Sequence, residues 1–416
     1  MSNYYWLKNT HIPTCLIKDT HLESTTRENL ALCDLKIEEG KISKVIPASP
    51  QTIGIDLQQK IVLPCFVDIH THLDKGHIYE RSPNLLGDFD TALTTTRQDA
   101  QFWKEDNLYP RMQFGLECSY AHGTIALRTH LDCFGEQADI SLKVWQQLKQ
   151  EWQDKLYLQA VSLVSLDYFL TDEGVKLADK IAEVGAILGG VAYMNPDLDR
   201  QLERVFQLAQ ERNLDLDFHA DENDDINSIC LQKIAETAIK FNFTGKILCG
   251  HCCSLSLQPQ NVLEKTINLV KEAHISIVSL PMCNLYLQDR KAQTTPTWRG
   301  VTRVKELKQA GIKVNFASDN CRDPFFGFGD HDMLEVFNQS VRIAHLDTPY
   351  DDWIASFTKN PASVMGLDEV GKIGVDLPAN LIVFNARYFS ELLSRNQSDR
   401  QIIRNGRIIQ SSLPKY

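Results

Sequence analysis

The pair His70-Thr71-His72 puts two imidazoles at alternate positions at the end of the apolar run 60–69. In an extended strand, residues i and i+2 point to the same side, so both rings are offered to one point at the strand's carboxyl end. Neutral imidazole is a ligand for Zn, Fe, Co or Ni. Further apolar runs of strand length end in groups of the same kind. Residues 214–219 end in His219, followed by Ala220-Asp221-Glu222; residues 246–251 end in His251; residues 314–319 end in Asp319, with Asn320 next. Each has a plainer reading. A lone buried histidine is more often a hydrogen-bonded core residue than a ligand. Ser318-Asp319-Asn320 would suit a helix N-cap, and Glu222 lies in an acid-rich run, 221–225, that would suit a solvated loop. Segments that all deliver metal-type side chains at the same kind of place argue together for a metal centre. Cys252-Cys253, beside His251, would allow a thiolate site instead, but no Cys-x-x-Cys partner accompanies them.

What must position these groups is a set of parallel strands whose carboxyl ends meet. Strand-like segments are read at 62–69, 124–129, 156–164, 186–191, 214–218, 246–249, 276–279 and 313–317. Helical segments are read at 141–152, 197–211, 228–241, 258–273 and 301–310, with Gly311 closing the last. Strands alternating with helices in this number predict an α/β fold, a (β/α)8 TIM barrel with its active groups at the carboxyl-terminal face. The chain ends read differently. Short strands near 12–18 and 33–47, with a Glu39-Gly40 turn, are matched by strands at 380–384 and 402–410 around Asn405-Gly406. The termini are therefore expected to build one small β domain together, residues 1–62 and 364–416, leaving 63–363 for the barrel.

With 416 residues, 43% of them hydrophobic, the chain can bury a large core. Its 54 acidic against 43 basic residues, net −11, argue against nucleic-acid binding, which needs a positive field. No apolar run reaches membrane-spanning length and no secretory signal opens the chain, so a cytoplasmic protein with no membrane partner is expected. The 11 cysteines, irregularly spaced and partly inside apolar strands, fit reduced thiols in that compartment.

The order His-x-His, His, His, Asp resembles the amidohydrolase superfamily of metal-dependent hydrolases and deaminases, and more closely bacterial cytosine deaminase and its relatives. The resemblance rests also on Leu63-Pro64, His72-Leu73-Asp74, Arg128-Thr129-His130-Leu131-Asp132, His219-Ala220-Asp221-Glu222, Leu287-Gln288-Asp289-Arg290, residues 299–306, Asp323-Pro324 and residues 379–383. It spans most of the chain. It implies the barrel, with a small β-sandwich built from both termini. It implies that His70, His72, His219 and Asp319 bind one divalent metal ion, Zn or Fe, leaving a position for a water whose pKa falls towards neutrality. It implies that Glu222 shuttles protons between that water, a ring nitrogen and the departing amine. His251 matches a histidine that polarises the water or supports the intermediate, and Asp319 would act as ligand and as base. Gln288 falls on a glutamine that lines the pocket or packs beside it. Trp298, Phe325 and Phe326 can stack on a ring or fill the core.

There are two departures from the cytosine deaminase pattern. Asn320 stands where a second aspartate is found, and an amide donates as well as accepts. Ser165 aligns with a glutamine that reads the pyrimidine carbonyl, and a short hydroxyl does not reach as far. These departures count against cytosine itself and leave room for a larger ring. Lys75 is on the wrong loop to be the carboxylated lysine that bridges two metals, and no lysine ends the segment 186–191, so one ion is expected. Lys75 can instead bind an electronegative substrate group, or be a solvated loop lysine. The expected activity is hydrolytic deamination of an amino-substituted nitrogen heterocycle, a small molecule reacting with water and releasing ammonia. The alternatives are removal of an alkylamine or cleavage of a cyclic amide on the same mononuclear site, or a ligand-free scaffold, against which the intact residue set argues. Homo-oligomers are common in the family, and no sequence feature fixes a number.

Overall fold

The computed structural model describes residues 4–350, 352–410 and 412–416. The chain divides into two compact units, one of Met1–Val67, Glu117–Ala126 and Asp332–Tyr416, the other of Asp68–Leu116 and Leu127–His331. Among the described residues no helix is long and apolar enough to cross a membrane.

The larger unit is α/β. Strands Leu188–Ala192, Leu216–Ala220, Ile247–His251, Ser276–Ser279 and Val314–Phe316 form a parallel sheet in sequence order. Strands Phe66–Thr71, Thr124–Asp132 and Tyr157–Leu163 form a second sheet. Parallel bridges join the two at both edges, Val161 to Ile187 and Ser165 to Val191 on one side, Thr71 to Asp319 on the other. The result is a TIM-barrel-like ring of parallel character. Its strands are apolar runs buried on both faces, as in Leu216–Ala220 and Ile247–His251, because helices cover the outside. Those helices present one apolar stripe each. Leu198–Arg212 buries Leu202, Val205, Phe206 and Ala209 and ends at Asn213, whose left-handed backbone closes it. Helices Glu105–His122, Asp172–Val184 and Met333–Ala344 were absent from the sequence expectation.

One expected element is two. The apolar run 62–69 divides at Cys65. Val62–Pro64 pairs antiparallel with Leu381–Val383, whereas Phe66–Thr71 joins the ring. Pro64 has no N–H to continue a ladder, so one strand ends there and another begins. The strand expected near 12–18 also differs: it runs Tyr4–Pro13 and gives way to a short 3-10 turn, Thr14–Leu16.

The unit that holds both termini contains two four-stranded sheets. Tyr4–Pro13, Leu30–Glu38 and Lys41–Pro47 are antiparallel, with Ile55–Asp56 added parallel to the first. Arg407–Ile409, Gln401–Arg404, Leu381–Val383 and Val62–Pro64 are antiparallel throughout. The turn pairs Glu39-Gly40 (φ 50° and 83°) and Asn405-Gly406 (φ 46° and 72°) both lie in the left-handed region that a tight hairpin of this twist requires. Leu7, Ile12, Leu35 and Ile37 from one sheet and Val62, Leu381, Val383 and Ile403 from the other share one apolar cluster.

Candidate active site

Strand ends bring the chemistry together. His70 lies at the end of Phe66–Thr71 and His72 just beyond it; His219 is in Leu216–Ala220; His251 closes Ile247–His251; Asp319 follows Val314–Phe316. The backbone is bent at the point of delivery. His251, Asp319 and Asp221 have φ of 67°, 65° and 54°, a left-handed geometry that costs of order 1–3 kcal/mol at a non-glycine residue and needs local support. Asp319 finds it in its N–H, which donates to the His70 carbonyl at 2.9 Å. The preceding Ser318 donates to Asp68 from both its N–H (3.1 Å) and its hydroxyl (2.6 Å). Asp221 finds it at a helix start. Its carboxylate accepts from the Ser228 hydroxyl at 2.7 Å and from the Cys230 and Leu231 N–H groups at 2.8 and 2.9 Å, leaving Glu222 to face the cavity.

The His70 Nε2 is 3.2 Å from His219 Nε2, which is 3.3 Å from His72 Nε2. Asp319 Oδ1 is 3.4 Å from His70 Nε2 and 3.2 Å from His72 Nε2. Donor atoms about 2.1 Å from one tetrahedral ion stand about 3.4 Å apart, which is the spacing of these four contacts. His70 is fully buried and Asp319 is 1% exposed, and the carboxylate has no hydrogen-bond donor of good geometry. A buried cluster of imidazole lone pairs and a carboxylate is stabilised by a positive ion. His70, His72 and Asp319 form one group that could hold a metal ion, and His70, His130 and His219 form another that shares His70 with it.

Beside it, Glu222 Oε1 is 3.2 Å from His251 Nδ1 and 3.4 Å from Asn284 Nδ2, and that amide is 2.9 Å from the same His251 nitrogen. The His251 Nε2 has no hydrogen-bond partner. A cavity of about 490 Å3 opens over His72, His219, Glu222 and His251, and Lys75, Ser165 and Asn320 also line it. Its walls include Phe89, Trp103, Phe134 and Phe325, while Trp298 and Phe326 lie outside the lining. Lys75 is pinned by Asp132 Oδ1 at 2.9 Å and is 6% exposed, so the solvated-lysine alternative does not apply. Asn320 Nδ2 donates to Asp323 at 2.7 Å. Gln288 sits apart from this cavity, in an adjoining one, and its amide donates to the Glu222 carbonyl at 3.3 Å.

Burial sets the proton states. It lowers His72 to about 3, with help from the Lys75 charge, and it lowers His251 to about 3 as well. His219 is pushed well down by burial and by the neighbouring histidines, so these rings are neutral and able to ligate. Burial and then the Asp319 charge push Glu222 well above the usual carboxylate range. Burial alone would raise Asp319 too, but its contacts with His70 and His72 overcome this and hold it well below its ordinary value.

Four contributors escaped the sequence reading. His130, in Thr124–Asp132, places its ring 4.0 Å from that of His70 and 4.7 Å from that of His219. A strand-end histidine inside Arg128-Thr129-His130-Leu131-Asp132 was visible and could have been counted with the others. Asp221 carried the signal of a helix cap. Asp132 closes the segment 128–132 that carries part of the resemblance, though nothing local points it at Lys75, and Asn284 carried no signal, since only the folded chain sets it against His251.

Residues 113–410 match the model of the amidohydrolase family. The chain is 44% identical to a pterin deaminase of Rhizobium rhizogenes over 99% of its own length and 94% of the relative's. It is 25% identical to an N-isopropylammelide isopropyl amidohydrolase of a Pseudomonas species, over 92% and 94% of the two chains. The crystal structure of 5-methylcytosine deaminase from Klebsiella pneumoniae, liganded with 5-fluorocytosine, superposes with a TM-score of 0.84 at 26% identity, covering 99% of this chain and 98% of that one. The chain belongs to the amidohydrolase family, whose members are metal-dependent. It is a hydrolase of carbon–nitrogen bonds, a deaminase in type.

Proposed function

We propose that this deaminase acts on an amino-substituted, fused-ring nitrogen heterocycle of the pterin kind, exchanging an exocyclic amine and a water for a ring carbonyl and ammonia. The observation that carries the proposal is the place of Glu222, a half-buried carboxyl set between the His/Asp cluster and an aromatic-walled cavity and pushed above the usual carboxylate range by burial and by the Asp319 charge. The relative named for pterin, and the short Ser165 where a longer side chain would narrow the cavity, support the larger ring.

In this proposal His70, His72, His219 and Asp319 hold one divalent ion, zinc or iron, which when bound supplies an acidic, reactive water. Glu222 takes a proton from the nucleophile and delivers it to the ring nitrogen next to the attacked carbon. His251, steadied by Asn284 on one nitrogen, offers the other to the oxygen that is added. Asp319 accepts the second proton, which passes to the leaving amine. Lys75, Ser165 and Asn320 meet the polar edge of the ring, the aromatic walls meet its faces, and Gln288 steadies Glu222 from behind. The proposal includes the division of labour expected from the sequence, with residues 63–363 catalytic and residues 1–62 and 364–416 a small β-sandwich; the apolar cluster shared by two sheets supports it.

Removal of an alkylamine from a ring is the second reading, favoured by the isopropyl amidohydrolase among the relatives. Both are tested by assaying enzyme of measured metal content against aminopterins, aminopurines, aminopyrimidines and N-alkylaminotriazines. The expected result is ammonia from the pterins, lost on chelation and restored by metal. Full metal loading with alkylamine release and no ammonia would establish the second reading instead.

A further inference from the structure

A second set of ligand-type side chains meets elsewhere in the larger unit. His77 follows the first ring strand, Cys321 and His331 follow Asp319, and each brings one ligand atom within 4.8 Å of the others. The Nε2 atoms of His77 and His331 stand 3.2 Å apart, the same spacing as His70 and His219. Cys321 and His331 are each 1% exposed, and His77 is half-buried, so the group has one side towards solvent. The proposed deamination uses none of the three.

The chain is shaped around this group. His77 and His331 both adopt left-handed backbone, with φ of 63° and 54°, and the His77 N–H donates to the Cys321 carbonyl at 3.2 Å. A Cβ on Gly115 would lie 3.0 Å from His331 Nε2, and one on Gly329 would lie 3.4 Å from the Cys321 sulfur. Glycine at both positions keeps the space around the two donor atoms open.

We propose that His77, Cys321 and His331 bind a second metal ion, of the borderline or soft class to which Zn2+ belongs. Two imidazoles and a thiolate select such an ion over Mg2+ or Ca2+, which take oxygen ligands. Three protein ligands leave a fourth position for water. As the ion enters, the Cys321 S–H bond breaks, its electron pair becomes the metal–sulfur bond and its proton leaves to solvent. The charges that face His77 are the Arg322 and Arg111 guanidinium groups and, opposing them, the Asp330 carboxylate. Arg111 is itself held by the Asp74 and Gly76 carbonyls at 2.5 and 2.9 Å. The ion would tie the segment after His72 to the segment after Asp319. This inference goes beyond the proposed function and does not rest on it.

The test uses the full chain, stripped with a chelator and reloaded with Co2+. The His70, His72, His219 and Asp319 cluster contains no sulfur ligand, though Cys283 lies beside Asp319, so a thiolate-to-cobalt charge-transfer band is assigned to the second group by its loss in Cys321→Ser. The expected result is about two cobalt ions per chain with that band, and loss of the band with about one ion in Cys321→Ser. His77→Gln, a change on the half-exposed side, is expected to lose the same equivalent and keeps the test open if Cys321→Ser does not fold. About one ion per chain, with a band that Cys321→Ser abolishes, would support this site and count against the active-site cluster. Saturating cobalt without a thiolate band, or a band that survives Cys321→Ser, would overturn the proposal.

Discussion

Asp332 in one unit and Glu222 in the other are both largely withdrawn from water, yet their carboxyl groups are held in opposite ways. In the unit that holds both termini, burial alone would raise Asp332, but Arg400 at 2.5 Å and His122 at 3.5 Å overcome it and hold the group below its ordinary range. In the other unit Asp74 and Asp323 are pushed up to about 7, and Glu222 well above its usual range, with burial the leading cause each time. A carboxyl that faces a guanidinium is a fixed charge and a structural tie. One buried without full compensation keeps its proton near neutrality and can give it up or take it back. Asp99 and Asp319 differ from these within the same unit: burial would raise Asp99, but Arg81 at 2.7 Å and its other donors hold it below its ordinary range, and Asp319 lies among imidazoles that favour its anionic form, as a ligand must. The contrast sets a carboxyl that ties the fold, Asp332, against the one proposed to exchange protons, Glu222.

The largest expected effect breaks that contrast at its functional end. Glu222→Gln keeps the shape and the contact to Asn284 but removes the exchangeable proton. We expect kcat to fall by about 10²–10⁴-fold with metal content unchanged, measured by ammonia release and elemental analysis on one sample. A variant that turns over near the wild-type rate would remove Glu222 from the chemistry. Next in size is Asp332→Ala, which leaves Arg400 buried without its carboxylate. The expected loss is about 3–5 kcal/mol of stability by urea denaturation at neutral pH, with turnover per folded molecule unchanged. The sign with pH follows from the lowered value. Asp332 stabilises the fold fully above its unfolded pKa of 3.8, and the contribution is lost as pH falls through the lower folded value. The gap between wild type and variant should therefore narrow on the acid side; a gap that widened there would mean the carboxyl is not held as an anion.

How far this was readable in advance depended on whether a feature was local. Side chains alternate along a strand, so His70 and His72 had to share a face, and the buried ends of later strands had to deliver His219, His251 and Asp319 to the same region. The hairpins at Glu39-Gly40 and Asn405-Gly406 were readable for the same reason, since two residues carry the whole backbone requirement. The break at Cys65 was not, because apolar periodicity is identical on both sides of it and only Pro64 marks the change of sheet. Nor was Asn284, which nothing marks until the helix Pro281–Leu287 sets it against His251. Gln288 was a pocket candidate by local pattern, yet the fold turns its amide to the Glu222 main chain. The group at His77, Cys321 and His331 joins residues far apart in the chain, and no spacing rule announces it.

The smallest expected effect concerns the cavity wall. Ser165 bridges to Val191 just past the strand Tyr157–Leu163 and is half-buried at the lining, with no part in the proton transfers. Ser165→Gln adds a long amide to a cavity of about 490 Å3 without altering the carboxyl groups on either side of the contrast. Loss of room at one wall is worth about 1–3 kcal/mol of discrimination, or roughly 10–200-fold in kcat/KM. A fused two-ring substrate should lose most of that, whereas a single amino-pyrimidine ring, which does not reach as far and gains an amide to bond with, should lose little or improve. The ratio of the two kcat/KM values then moves towards the single ring while the pH dependence of kcat, set by Glu222 and its neighbours, stays where it was. Equal losses for both substrates would mean that Ser165 governs the shape of the whole cavity and not the ring size it admits. A shifted pH profile would mean that the wall and the proton-exchanging groups are coupled, and the separation between holding and exchanging would fail at this position.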